Sequence, residues 1–145
     1  MRKTGTALFV AFAALMASET RVQMSELPEA VQKTVKQQTQ GARIKGFSKE
    51  VENGKTYYEA ETTVNGRSRD ILIDSSGEVV EVEEQADLER IPAAARETLE
   101  KRAGQGKIVR VESVTRASKV SYEAVILRNG KRSEVAVEAD GTVQK

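Results

Sequence analysis

The sequence resembles itself at a constant offset of 64 residues. Without any gap, this shift superimposes the Leu/Ile-Pro dipeptides at the beginning of the two matched segments, tyrosine-glutamate-alanine triplets, asparagine-glycine pairs and isolated glycines. The matched positions are Leu27-Pro28 with Ile91-Pro92, Tyr58-Glu59-Ala60 with Tyr122-Glu123-Ala124, Asn65-Gly66 with Asn129-Gly130, and Gly77 with Gly141. Because one offset runs through both helix-like and strand-like stretches, we predict a duplicated supersecondary unit. The two repeats are residues 27–84 and 91–145, joined by a linker at residues 85–90.

The first repeat has the pattern of one helix followed by four strands. Pro28 suits a helix start, because the first turn leaves its N–H groups unpaired in any case. Val31 and Val35 then fall on one face at helical spacing. Turn signals separate the strands that follow. We predict these strands at residues 43–51, 55–64, 67–74 and 78–83.

The second repeat follows the same plan and ends in a shorter last segment. We predict a helix at residues 92–103, strands at 108–115, 119–127 and 132–138, and a short stub at 142–144. Hairpin connections make neighbouring strands antiparallel, and each helix must cover one face of the sheet. The predicted fold class is therefore α+β: two tandem helix-plus-four-strand antiparallel repeats form one sheet, with both helices on one face and the other face partly open.

The N-terminal residues have the pattern of a signal peptide. Arg2 and Lys3 precede an apolar run from Ala7 to Ala17, which is too short for a comfortable membrane span. We predict a signal peptide at residues 1–17 and a polar spacer at 18–26; a retained membrane anchor is the alternative. Because the chain has no cysteine to accept a lipid, we expect a periplasmic or extracellular protein with no stable membrane span after cleavage.

Composition removes most enzyme chemistry. The chain has no histidine and no cysteine, so it lacks the commonest general base, the usual zinc ligands and the Ser-His and Cys-His nucleophile pairs. Without residues 1–17, 21 basic residues face 22 acidic ones, and this near-neutral balance argues against a nucleic-acid partner. We expect no cofactor, no metal and no enzymatic activity. The first repeat is acidic (8 basic, 11 acidic) and the second basic (11 basic, 7 acidic). Attraction between the halves with ordinary solvated surface explains this asymmetry; the alternative is a polarised docking surface or head-to-tail association.

One catalytic alternative is a carboxylate pair. Glu59 and Glu61 share a strand face, and such a pair could sit near the separation that glycosidases use. Alternating polar residues are, however, ordinary on a solvent-facing strand, so this alternative ranks last. The segments 74–77 and 138–141 lack the spaced oxygen ligands of a calcium loop and are better explained as turns.

The open face of the predicted sheet is the better candidate for function. Strand alternation places Tyr57, Glu59, Glu61 and Leu72 on it in the first repeat. In the second repeat the same face would show Glu123, Val125 and Leu127 together with Ser121. Tyrosine is a frequent interface anchor, and Val125 with Leu127 would form an apolar patch that needs a cover. Alternatively, these residues pack against the other repeat or the C-terminal stub.

These motifs resemble the PepSY-like family of secreted proteins, whose tandem form is similar to the beta-lactamase inhibitory protein. The resemblance is carried by the Leu/Ile-Pro starts, the Tyr-Glu-Ala triplets, the Asn-Gly turns and the segments 74–77 and 138–141. It implies a non-enzymatic protein-binding module that restrains an envelope peptidase or other hydrolase by steric occlusion. The implied contact surface is the open face plus the Asn65-Gly66 hairpin. The alternative is an envelope sensor or structural module without an enzyme target.

Overall fold

The computed structural model describes residues 19–145, so the predicted signal peptide at 1–17 lies outside the described residues. The described part of the chain begins with β1 (Thr20–Val22), α1 (Glu29–Gln38), β2 (Arg43–Glu52), β3 (Lys55–Val64), β4 (Arg67–Asp74) and β5 (Val79–Gln85). It continues with α2 (Ala93–Ala103), β6 (Lys107–Arg116), β7 (Lys119–Arg128) and β8 (Lys131–Glu138). Single 3-10 turns, Met24–Glu26 and Leu88–Arg90, precede the two helices. Within residues 19–145 no helix has both the length and the apolarity needed to span a bilayer.

All eight strands form one sheet in which the spatial order follows the chain order. Every neighbouring pair is antiparallel. Three of the hairpins turn on an Asn-Gly pair with positive φ at both residues, and these asparagines are Asn53, Asn65 and Asn129. Asn-Gly tolerates this left-handed backbone at the least cost. The prediction of an α+β chain with one antiparallel sheet and two helices is confirmed.

The set of segments that form the sheet differs from the prediction at both ends of the described chain. The predicted spacer contains β1, which pairs with β2 from Thr20↔Lys49 to Val22↔Phe47. The predicted last strand at 142–144 is not a strand: it makes one isolated bridge, Val137↔Val143. The eighth strand is therefore β1. A three-residue edge strand shows too little alternation to be recognised from the sequence alone.

Both helices cover the same face of the sheet. Around α1, Leu27, Val31 and Val35 pack with Ala60 and other strand residues in one buried cluster. Around α2 a second cluster contains Ile91, Ala95 and Leu99 and, from the strands, Val111, Ala124 and Val137. Val82, which packs on the first cluster, lies directly opposite Thr115. Thr115 shares a strand face with Val111, so the two clusters lie on one side of the sheet.

Each helix is also fixed to a turn of the sheet by a threonine hydroxyl. Thr34 Oγ1 donates a hydrogen bond to the carbonyl oxygen of Gly77, and Thr98 Oγ1 donates one of 2.9 Å to that of Gly141. The helix backbone approaches the same turns closely: a Cβ atom on Gly77 would lie 2.7 Å from the carbonyl oxygen of Ala30. Among residues 19–145, neither α1 nor α2 packs on the opposite face of the sheet.

Candidate functional site: the helix-free face of the sheet

The first-repeat residues of the predicted open face lie together on the sheet face opposite the helices. Tyr57 and Glu59 alternate along β3 with Tyr58 and Ala60, which pack on the α1 side. Cross-strand register brings Leu72 opposite Glu59 and Asp70 opposite Glu61. We call this side of the sheet the helix-free face.

The second-repeat residues Glu123, Val125 and Leu127 lie on the same helix-free face, on β7. The register Glu83↔Val114↔Ser121 connects the two halves across β5, β6 and β7, and Glu123 lies two residues beyond Ser121. Of the predicted apolar patch, Val125 is only 7% exposed and Leu127 is half-buried, so the folded chain itself covers much of it. Leu72 is likewise only 9% exposed. Arg110 and Glu134 flank Val125 in the register, and long charged side chains cover apolar neighbours with their stems.

The Asn65-Gly66 turn lies beyond the ends of strands β3 and β4 rather than on this face. It connects β3 to β4 beyond the pair Val64↔Arg67, whereas Tyr57 pairs with Asp74 at the other end of the hairpin. Val64 lies seven residues beyond Tyr57 on the same strand, which corresponds to about 23 Å. The structure therefore does not bring Asn65 and Gly66 together with Tyr57.

Carboxylates dominate the middle of the helix-free face. They occur on every strand from β2 to β7, and we call them the acidic belt. Its members are Glu50, Glu59, Glu61, Asp70, Glu81, Glu83, Glu112 and Glu123. Two of them are almost fully buried although they carry carboxylates: Glu81 is 6% exposed and Glu112 is 8% exposed.

Like charges face one another across the strands of the belt. Glu61 lies opposite Asp70, and Asp70 lies opposite Glu83 on the next strand. Glu112 and Glu123 form another directly opposed pair. Such pairs destabilise a sheet unless counter-ions or protons compensate them.

Arginines compensate only part of this charge. Arg21 Nη1 lies 2.6 Å from Glu61 Oε1, and Arg110 Nε lies 3.2 Å from Glu112 Oε1. Arg116 pairs closely with Glu81 and more loosely, at 3.9 Å, with Glu123. The belt therefore has more carboxylates than guanidinium groups, and Oε1 of Glu83 is buried without a hydrogen-bond partner in the described chain.

Bound protons can neutralise carboxylates that no arginine pairs with, and the pKa values of several belt members are raised as this requires. Burial, followed by the charges of Asp70 and Glu61, raises the pKa of Glu59 from 4.5 to about 8. Burial raises the pKa of Glu123 to about 7 against the opposing effect of Arg116. Burial and the charge of Glu19 raise the pKa of Glu50 to about 7. Burial is also the main cause that raises the pKa values of Asp70 and Glu112.

The carboxylate pair considered above as a catalytic alternative lies at one end of the belt. Oxygen atoms of Glu19, Glu59 and Glu61 lie within 4.8 Å of one another. Arg21 occupies both oxygens of Glu61, with Nη1–Oε1 at 2.6 Å and Nη2–Oε2 at 3.2 Å. A carboxylate held in this way is poorly placed to attack a substrate as a nucleophile.

Five members of the acidic belt were not predicted from the sequence: Glu50, Asp70, Glu81, Glu83 and Glu112. A signal was available, because Asp70 precedes Leu72 by two residues and Glu81 and Glu83 alternate along β5. Period-two spacing alone assigns each strand to two faces without saying which faces of distant strands coincide. Their assembly into one belt depends on the register.

The fold and the helix-free face define a class of protein. Its antiparallel sheet is covered by two helices on one side and carries an acidic belt on the side that these helices do not cover. Solved structures similar in fold include a Bacteroides eggerthii protein provisionally described as periplasmic (TM-score 0.68, 18% identity, 82% of this chain and 86% of that chain). A BLIP-like protein of Bacteroides fragilis matches with TM-score 0.61 and 16% identity over 82% of this chain and 84% of that one. A DUF2874 family protein of Bacteroides uniformis matches with TM-score 0.66 and 16% identity over 81% and 86%. At these identities the similarity establishes the fold alone. No protein-family profile and no curated protein matches the chain.

Proposed function

We propose that this chain is a non-enzymatic protein-binding module of the cell envelope that restrains a hydrolase, a peptidase in the first instance, by covering it with the helix-free face. The observation that carries the proposal is this face, on which neither helix packs and which the acidic belt crosses from β2 to β7. A broad, polar and laterally continuous surface suits a protein partner better than a small ligand, which prefers a concave pocket.

The size of the face fits a standard protein interface. Eight strands spaced about 4.8 Å apart span about 34 Å, and all of them except the three-residue β1 have seven to ten residues, which corresponds to about 23–33 Å. Such an area is close to the roughly 800 Å² per partner that stable complexes bury. One partner can therefore contact both halves of the sheet.

The charge of the face indicates the chemistry of the partner. A partner surface rich in lysine and arginine would supply the counter-ions that the belt lacks. Opposite charges lower carboxyl pKa values, so such a partner would favour release of the protons that Glu59 and Glu123 hold. Docking should therefore strengthen as the pH rises towards 8 and weaken with added salt.

The family and the location are part of the same proposal. The 64-residue self-similarity and the two threonine-to-turn contacts support a tandem PepSY-like duplication. The similarity of the fold to a BLIP-like protein supports protein binding. The signal-peptide pattern of residues 1–17 and neighbours described provisionally as periplasmic support an envelope location.

The test is binding and inhibition with variants matched in charge. The chain from Ser18 to Lys145 is used to capture partners from the envelope extract of its own cells, and captured hydrolases are then purified and assayed. Tyr57→Ala and the double variant Glu50→Gln/Glu59→Gln alter the face. Glu29→Gln/Glu100→Gln is the control, since it replaces the same number of carboxyl groups at exposed helix positions. Val125→Asp is unsuitable, because it would bury a carboxylate at a position that is 7% exposed.

The proposal predicts inhibition of a captured hydrolase, weakened at least tenfold by the face variants and unchanged by the control. Capture of a protein that is not a hydrolase, lost with the same variants, would favour the sensor or structural module. Binding that survives both face variants would overturn the assignment of the face itself.

A further inference from the structure

The pairing between β5 and β6 is the seam that joins the two halves of the sheet. It runs only from Val82↔Thr115 to Gln85↔Glu112, four residues on each strand. By contrast, β2 pairs with β3 along its whole length, from Arg43↔Thr63 to Glu52↔Lys55. Each half has its own buried cluster, one around α1 and one around α2. A short pairing between two separately packed halves is a natural place for a hinge.

Carboxylates surround the seam on the helix-free face. Glu83 on β5 is flanked by Asp70 on β4 and by Glu81 on its own strand. From the far side, Glu112 on β6 and Glu123 on β7 also act on it. Two arginines lie beside these carboxylates: Arg116 already pairs with Glu81 and Glu123, and Arg110 pairs with Glu112.

Glu83 has the least compensation of these groups. Its Oε1 is buried without a hydrogen-bond partner in the described chain, and its cross-strand neighbours are Asp70 and Val114. An ionised carboxylate in this position would be both poorly solvated and repelled by its neighbours. Moving β5 away from β6 would admit water and relieve both effects.

We propose that the β5–β6 seam is a proton-controlled hinge, closed while Glu83 and its neighbours share protons and opened when those protons leave. Burial and, after it, the neighbouring Glu81 raise the pKa of Glu83 in the closed seam. In an opened, hydrated seam the pKa of Glu83 returns towards its ordinary value, so opening releases a proton. Linkage then requires the opening equilibrium to rise about tenfold per pH unit for each proton released, at pH values above the ordinary carboxyl range.

The test is backbone hydrogen exchange on the free protein between pH 6 and pH 9, expressed as protection relative to the unstructured chain. Amides of β5 and β6, and that of Ala86, which donates to the carbonyl oxygen of Val111 across the seam, should lose protection by about tenfold per pH unit. Amides of α1, α2 and the β7–β8 pair should lose less.

Two variants separate the hinge from other effects. Glu83→Gln keeps the shape without the charge and should make the loss of seam protection with pH clearly less steep, while the raised pKa values of Glu112 and Glu123 remain. Glu84→Gln is the matched control: Glu84 is the next residue on β5, points to the other face and pairs with Arg69 at 3.2 Å. In the Glu84→Gln variant, protection of the seam amides should depend on pH as it does in the unmutated protein.

Two results would overturn the hinge. One is seam protection that stays constant with pH in the unmutated protein, which is measurable even if Glu83→Gln does not fold. The other is an equal loss of protection at every amide, which would indicate global unfolding. Neither result would affect the proposed function, because the capture experiment tests docking independently. If both proposals hold, the hinge would let pH set the relative orientation of the two halves of the docking face.

Discussion

Gly77 and Gly66 both have a positive φ, yet their surroundings make them very different residues. Gly66 has a φ of +78°, and a Cβ atom added there would meet open space, with nothing within 4 Å. Gly77 has a φ of +90°, and a Cβ there would lie 2.7 Å from the carbonyl oxygen of Ala30 on α1. Backbone strain acts on both positions, whereas the clash with a helix acts on Gly77 alone.

We therefore expect Gly77→Ala to destabilise the protein more than Gly66→Ala. The left-handed backbone costs an alanine about 1–2 kcal/mol at either position. The clash with rigid backbone adds about 1–3 kcal/mol at position 77. Urea unfolding of the two variants measures the difference directly, and equal midpoints would show that α1 does not rest on this turn.

At the same scale, the sequence predicted backbone features better than burial. Asn-Gly pairs and the proline starts have local physical causes, so the turns and both helices were correct. The burial of Leu72 and Val125 on the open face depends on long neighbours from other strands, such as Arg110 beside Val125, and the sequence pattern left it undecided. The membership of Glu81, Glu83 and Glu112 in one belt depends on register across six strands, which no local pattern contains.

Among the elements, the β6–β7 hairpin departs most from the others. Its turn places Ala117 at a φ of +46° and Ser118 at +66°, whereas the corresponding turn of the first half uses Asn53 and Gly54. Strand pairing from Lys107↔Leu127 to Arg116↔Lys119 holds the hairpin in register despite this turn. Residues other than glycine, asparagine and aspartate adopt such angles at a cost.

Replacing Ser118 by glycine should consequently stabilise the protein. We expect a gain of about 1 kcal/mol, because glycine adopts the required φ without steric cost. The measurement is the midpoint of thermal unfolding, which should rise by roughly 3–6 °C. Gly54→Ser, the reciprocal change in the corresponding hairpin, should lower it. A lower midpoint for Ser118→Gly would mean that the serine makes a stabilising contact outweighing the strain.

For the whole molecule, the acidic belt predicts an unusual dependence of stability on pH. Native carboxylates commonly have lowered pKa values, and acid then destabilises the protein. Here the pKa values of Glu59 and Glu123 are raised from 4.5 to about 8 and about 7. Between pH 4.5 and 8 the folded state thus holds protons that the unfolded state has released, so stability must fall as the pH rises through this window.

We expect the free energy of unfolding to decrease by about 2 kcal/mol between pH 5.5 and 8, and the melting temperature by roughly 5–10 °C. Glu59→Gln should flatten this slope, leaving stability nearly unchanged at pH 5 and higher than that of the unmutated protein at pH 8. The exposed Glu100→Gln serves as the control and should keep the full slope. Calorimetry at several pH values measures all three proteins. Stability that instead stays constant from pH 5.5 to 8 would mean that the belt is fully solvated and its carboxylates ionise as they do in the unfolded chain, since only burial and mutual repulsion can hold protons on them at neutral pH.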